Sequence, residues 1–330
     1  VIDRRQAMLA ALGAGLALPA AAQTPPPGFR SGGGAGPDPT ETIDLWPGTP
    51  PGAPATLPTE QVVERSSDPA LGDRFVQGIA RPRLVVFRPR EPNGQAALVT
   101  PGGGYRLIVI DKEGYEIARW LAARGWTVFV LFYRLPGEGW ADRSNVALAD
   151  AQRAIRLIRA RAATYDVRAD RVAAMGFSAG GHVCADLATR FAARVYAPVD
   201  AADRLSARPD LAAPIYPVQA MALPVAHAGS RALLLGPDAT PAAETAHTPA
   251  ANVGAETPPC FLVHAEDDGT VPVENSLQFR AALRRAGVAV ETHLFEQGGH
   301  GFGLRLAQGK PAEIWPDLFV RWARRHGFDA

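Results

Sequence analysis

The chain alternates short apolar runs with longer stretches in which apolar residues recur every three or four positions. Runs at 61–65, 83–87, 96–100, 127–132, 171–175, 212–216, 261–264 and 289–295 are the length of buried or half-buried strands. Helical spacing falls between most of the later ones, at 113–124, 143–163, 181–192 and 276–286. Strands alternating with helices predict a mostly parallel central sheet with helices on both faces. No internal repeat interrupts the pattern, and no second domain is read from it. Within 143–163, Ile155, Ile158 and Ala162 share one stripe, with the arginines mostly outside it, which predicts a solvated basic face.

The first forty residues do not follow this pattern. Arg4 and Arg5 precede an apolar run from Ala7 to Leu18 and then Pro19-Ala20-Ala21-Ala22, the order of a cleavable export signal of the twin-arginine type. The apolar run is too short for a convincing membrane span, so none is expected after cleavage. Residues 23–40 are rich in Pro and Gly and read as a flexible linker. The expected organisation is therefore a signal over 1–22, a linker over 23–40 and one catalytic domain over 41–330, in a periplasmic or secreted protein. An oxidising compartment raises the question of Cys184 and Cys260, which are expected to be buried free thiols rather than a disulfide.

Composition adds exclusions. The chain has 330 residues, a formal net charge of +1 and 47% hydrophobic residues, which suits a large buried core. With no basic stripe and no binding motif, nucleic acid is not an expected partner. The oligomeric state is not legible.

Candidate chemistry centres on Ser178. Gly176-Phe177-Ser178-Ala179-Gly180 lies between a predicted strand and a predicted helix, the layout of a nucleophile elbow, in which side chains flanking the turn would collide with its neighbours. A base and an acid are expected downstream. His300, in Gly299-His300-Gly301, is the chosen base. Glu266, Asp267 and Asp268 compete for the acid, and Asp268, three residues before Val271, is preferred over Asp267, which could instead bond the loop; Glu266 reads as solvated. Upstream, the strand ending at Thr100 runs into Gly102-Gly103-Gly104-Tyr105. Backbone N–H groups of Gly103, Gly104 and Ala179 are candidates for an oxyanion hole, and Tyr105 for lining the substrate pocket or packing with its hydroxyl wet. A dinucleotide-binding reading fails because Ile108 stands where the third glycine belongs. A zinc site from His264, Asp267 and His300 has no supporting spacing. His182 and His293 read as ordinary helix and strand residues, and His264 as a strand-end residue. Arg134 reads as a structural partner of an acid such as Glu113.

Taken together, Pro101-Gly102-Gly103-Gly104-Tyr105, Tyr133-Arg134-Leu135, Gly176–His182, the segment from His264 to Ser276 and Gly299–Gly303 resemble the α/β-hydrolases, within them the bacterial acetylxylan-esterase-like and feruloyl-esterase-like group. Pro101 stands where the hormone-sensitive-lipase-like relatives have a histidine, which favours the acetyl-esterase-like branch. The resemblance implies a serine esterase with Ser178, Asp268 and His300 as triad and no metal or organic cofactor. Its implied substrate is a small ester or an acetylated oligosaccharide derived from xylan. Feruloyl or general short-chain carboxylesterase activity is the alternative; a peptidase or a noncatalytic carbohydrate-binding protein fits less well. Residues 221–236, including His227 and Ser230, resemble the family's cap-like insertion without showing a substrate contact.

Overall fold

The computed structural model describes residues 38–68 and 70–329; the expected export signal and all of the expected linker except residues 38–40 lie outside them. The described residues form eleven strands: β1 (Thr42–Asp44), β2 (Gln61–Glu64), β3 (Arg74–Gln77), β4 (Arg83–Phe87), β5 (Gly94–Thr100), β6 (Ile108–Val109), β7 (Thr127–Phe132), β8 (Val167–Phe177), β9 (Leu211–Ile215), β10 (Cys260–Ala265) and β11 (Val290–Phe295). The helices are α1 (Glu116–Ala122), α2 (Val146–Ala160), α3 (Ala179–Arg190), α4 (Ala228–Leu235), α5 (Pro241–Ala246), α6 (Glu274–Arg285) and α7 (Trp315–Arg325). No helix among the described residues is long and apolar enough to cross a membrane.

Eight strands form the central sheet in the order β1-β4-β7-β5-β8-β9-β10-β11. β1 and β4 join antiparallel at one edge, and the strands from β7 to β11 along the sheet are parallel. This is the α/β-hydrolase architecture. Alternate residues of a strand face opposite sides, and β8 shows what covers each. A Cβ on Gly176 would meet Cys184 of α3, while the ring of Phe177 lies 6.1 Å from that of Trp315 in α7. The chain leaves β5 toward β7 on one side and returns to β8 on the other, so the strand order switches direction at β5. Such a switch opens a crevice at the carboxyl ends of the strands, where the glycine loop and the elbow lie.

Three features differ from expectation. β2, β3 and β6 form a separate small sheet; β3 is mixed in polarity and β6 is only two residues long, so neither stands out in sequence. α2 is buried on more than one side: Arg153 is 2% exposed, with Nε donating to Leu45 O at 2.9 Å and Nη1 to Asp200 at 2.8 Å. Its predicted solvated face is instead covered by the residues after Asp200 and by the N-terminal segment. Arg134 does not pair with Glu113. It closes on buried Asp150, Nη2 to Oδ1 at 2.8 Å, and the same carboxylate accepts the Trp46 indole N–H at 2.8 Å. Both cysteines are free and buried, and burial pushes the Cys184 thiol up to about 12.

Candidate active site

Ser178 sits between β8 and α3 at φ 52°, ψ −118°, a conformation that non-glycine residues rarely adopt and that persists only where the surroundings enforce it. They do so here by contact. A Cβ on Gly176 would lie 2.1 Å from Gly180 O, and one on Gly180 would lie 2.0 Å from Thr100 O. Either substitution would force the elbow away from β5. The serine backbone is also tied down: its N–H donates to Ile215 O at 3.1 Å, and its carbonyl accepts from His182 and Val218. Ser178 is 7% exposed.

The structure brings Ser178, His300 and Asp268 into one chain of hydrogen bonds. Ser178 Oγ is 2.8 Å from His300 Nε2, and His300 Nδ1 is 2.7 Å from Asp268 Oδ2. With the carboxylate accepting at Nδ1–H, Nε2 is left to accept from the hydroxyl. Asp268 Oδ1 takes the N–H groups of Thr270 and Val271, each at 2.9 Å. Asp267 faces elsewhere, its Oδ1 accepting from Gly298 and Gly299 N–H at 2.9 and 2.7 Å, and Glu266 is exposed.

A second histidine reaches the acid. His264 Nε2 lies 3.0 Å from Val271 O and 3.2 Å from Asp268 Oδ2, so the proton belongs on Nε2, while Nδ1 meets Ser276 Oγ at 2.8 Å. Burial works to raise the Asp268 carboxyl. Hydrogen bonds from His264 and His300, with the Val271 N–H, outweigh it and hold the group well below the usual carboxylate range.

The glycine loop faces this chain from β5. Gly103, at φ 134°, would put a Cβ 2.2 Å from Leu107 O, so only glycine permits the tight return. Among the described residues, the N–H groups of Gly103, Gly104 and Ala179 have no acceptor. Gly102 N–H donates to Glu113 Oε2 at 2.9 Å; Tyr216 OH donates to Glu113 Oε1 at 3.1 Å and accepts from Gly303 N–H at 3.0 Å. The Tyr216 ring also lies edge-on to His300, with centroids 5.4 Å apart. Glu113 thus links the glycine loop to the loop bearing His300.

Tyr105 neither lines the pocket nor keeps a wet hydroxyl. It is 1% exposed at φ 64°, and its hydroxyl is 2.6 Å from His182 Nδ1. His182 Nε2 in turn meets the carbonyl of His247 at 2.7 Å, which places the proton on Nε2 and makes Nδ1 the acceptor of the tyrosine O–H. Burial pulls His182 down to about 4, so the ring is neutral near pH 7. The supporting roles of Glu113, His182 and Tyr216 join residues far apart in the chain, whereas His264 acts on Asp268 only four positions on. The only local trace of them is that polar residues stand in otherwise apolar surroundings.

A family model, BD-FAE, matches residues 89–283, a span that includes the glycine loop, the elbow and Asp268. The chain belongs to the BD-FAE family. It is similar to an acetylxylan esterase of Xylanibacter ruminicola, 32% identical over 233 residues, covering 67% of this chain and 44% of that protein. It also matches endo-1,4-beta-xylanase B of Butyrivibrio fibrisolvens, 37% identical over 204 residues, covering 62% of this chain and 32% of that one. The chain therefore spans less than half the length of either relative. Among solved structures it resembles an acetyl ester-xyloside bifunctional hydrolase from Caldicellulosiruptor lactoaceticus, with TM-score 0.70 and 31% identity over 89% of this BD-FAE chain and 98% of that one. A thermophilic esterase from Thermogutta terrifontis, at 23% identity and TM-score 0.62 over 83% and 97%, shares the fold.

Proposed function

We propose that this BD-FAE protein is a serine hydrolase of carboxylic esters, acting on acetyl groups carried by xylan or xylo-oligosaccharides. The observation that carries the reading is the continuous chain from Ser178 Oγ through His300 to Asp268, with contacts of 2.8 and 2.7 Å, at a strained elbow. His300 Nε2 takes the hydroxyl proton as Oγ bonds to the ester carbonyl carbon. Asp268 stabilises the imidazolium and holds its tautomer, and the unpaired N–H groups of Gly103, Gly104 and Ala179 receive the oxyanion. As the tetrahedral species collapses, the C–O bond to the alcohol breaks and His300 protonates the departing oxygen. Water, deprotonated by His300, then attacks the acyl-serine, and the acid leaves with Ser178 restored.

Acetylated xylan is supported by the chain's similarity to an acetylxylan esterase and to an acetyl ester-xyloside hydrolase. Export follows from the Arg4-Arg5 and apolar pattern and suits a polymeric substrate outside the cell. The test is acetate release from acetylated xylo-oligosaccharides beside p-nitrophenyl acetate, p-nitrophenyl butyrate and methyl ferulate, with wild type and Ser178→Ala. Serine-dependent release from the oligosaccharide is the expected result. Turnover confined to aryl esters would leave a general carboxylesterase. Fractionation of cells producing the chain with and without Arg4→Lys/Arg5→Lys checks export.

A further inference from the structure

One histidine in the cleft takes no part in the chemistry derived above. His227 precedes α4, in the insertion between β9 and β10. Its Nδ1 accepts from the N–H of Ser230 at 3.2 Å and lies 2.8 Å from Ser230 Oγ, a residue with no exposed surface. A backbone N–H can only donate, so Nδ1 is the acceptor and the ring proton sits on Nε2. That Nε2–H has no partner among the described residues, and the side chain is half-buried. The ring is therefore fixed at one nitrogen and free at the other.

Its location is set by the glycine loop. A Cβ on Gly104 would stand 3.9 Å from His227 Cε1 and 3.9 Å from Ser230 Oγ, so the imidazole faces the loop at ordinary contact distance. Burial and the nearby His300 lower the His227 pKa, with Asp268 opposing them, which keeps the ring neutral and places it within electrostatic reach of both residues. An acetyl group has no polar atom beyond its carbonyl oxygen, and the loop amides already serve that oxygen. The polar atoms left for a neutral donor to recognise are on the alcohol half of the ester.

We propose that His227 is a substrate-binding residue whose Nε2–H donates to a hydroxyl oxygen of the alcohol half, next to the ester being cleaved. This rests on the serine-esterase reading, and it assigns His227 to polyol or sugar esters over plain alkyl ones. A neutral donor fits an uncharged carbohydrate, since it neither attracts nor repels charge.

The test uses two nearly isosteric esters, 2-hydroxyethyl acetate and propyl acetate, which differ by OH against CH3. Wild type, His227→Phe and His227→Gln are compared by the ratio of kcat/KM for the hydroxylated ester to that for the alkyl ester. The expected result is a ratio lowered about 3- to 10-fold in His227→Phe, mostly through KM, as for loss of one neutral hydrogen bond. His227→Gln, which keeps an N–H donor, should restore part of it. An unchanged ratio overturns the assignment, whether both rates fall together, as for a structural or oxyanion role, or neither moves. The ratio is read on small esters, so failure of wild type to deacetylate xylo-oligosaccharides would sink the xylan reading without touching this one.

Discussion

Ser178 and His300 meet at 2.8 Å, yet the loops that carry them are held by different forces. The elbow is fixed by exclusion: the flanking glycines leave no room for a carbon within about 2 Å of neighbouring backbone, and the strained serine has nowhere else to go. The loop of His300 is fixed by attraction. Asp267 accepts two of its N–H groups, Lys310 Nζ donates to Gly298 O at 3.0 Å, and Tyr216 accepts from Gly303. Around Gly299 there is open space. The position of Ser178 is thus set by shape, while that of His300 depends on polar groups, and the two should respond differently to substitution and to pH.

The largest effect should come where the loops meet. Ser178→Ala is expected to lower kcat on p-nitrophenyl acetate by roughly 10⁶-fold with an unchanged melting temperature; turnover close to that of wild type would remove the nucleophile. Asp268→Asn should cost up to about 10⁴-fold by disturbing the His300 tautomer, and a smaller loss there than in Asp267→Ala would reverse the choice of acid. The contrast itself is tested by two glycines. Gly180→Ala should destabilise by ~4 kcal/mol or more in chemical denaturation because backbone atoms stand in the way. Gly299→Ala, at φ 70° with free space, should cost only about 1–2 kcal/mol. Equal costs would erase the distinction between shape and tether.

Loosening the tether by Asp267→Ala is expected to reduce kcat about 10- to 100-fold, through misplacement of His300, with little change in global stability. The smallest effect is on acid stability. Burial pulls both His182 and His247 down to about 4, whereas an unfolded chain takes up those protons near 6.5. Their contribution is fully present above pH 6.5 and is lost progressively as pH falls toward 4. Melting temperatures measured across that window should decline, and His182→Gln should flatten the decline; an unaltered slope would show that another group governs it.

The contrast also explains what could be read from the sequence. Shape-determined features are local: Gly176, Ser178 and Gly180 lie within five residues, and their collisions are implied by the strand and helix on either side. The strands and main helices were legible for the same reason, since alternation and helical spacing are short-range patterns. Polar tethers are not local. Arg134 was paired with Glu113 although it closes on Asp150, because sequence distance carries no information about which buried acid faces which guanidinium. Tyr105 was expected either to line the pocket or to pack beside the loop with its hydroxyl wet, but the hydroxyl is buried against His182, 77 positions on. Asp267 is the exception: bonding to the loop is legible as its alternative to serving as the acid, and its Oδ1 accepts from Gly298 and Gly299.

The bridge through Glu113 has a consequence for changing what the protein accepts. One carboxylate fastens Gly102 and, through Tyr216, Gly303, so two loops far apart in the chain share a single mooring. Lengthening either loop strains the other, and a library that randomises both should yield few active members, with their changes strongly interdependent. The insertion carrying His227 is fastened separately, by Arg143 and Ser144, which donate to the carbonyls of Leu233 and Leu234, and by Asn275, which donates to that of Val225. Diversity introduced there can reshape selectivity while the reacting atoms stay where they are.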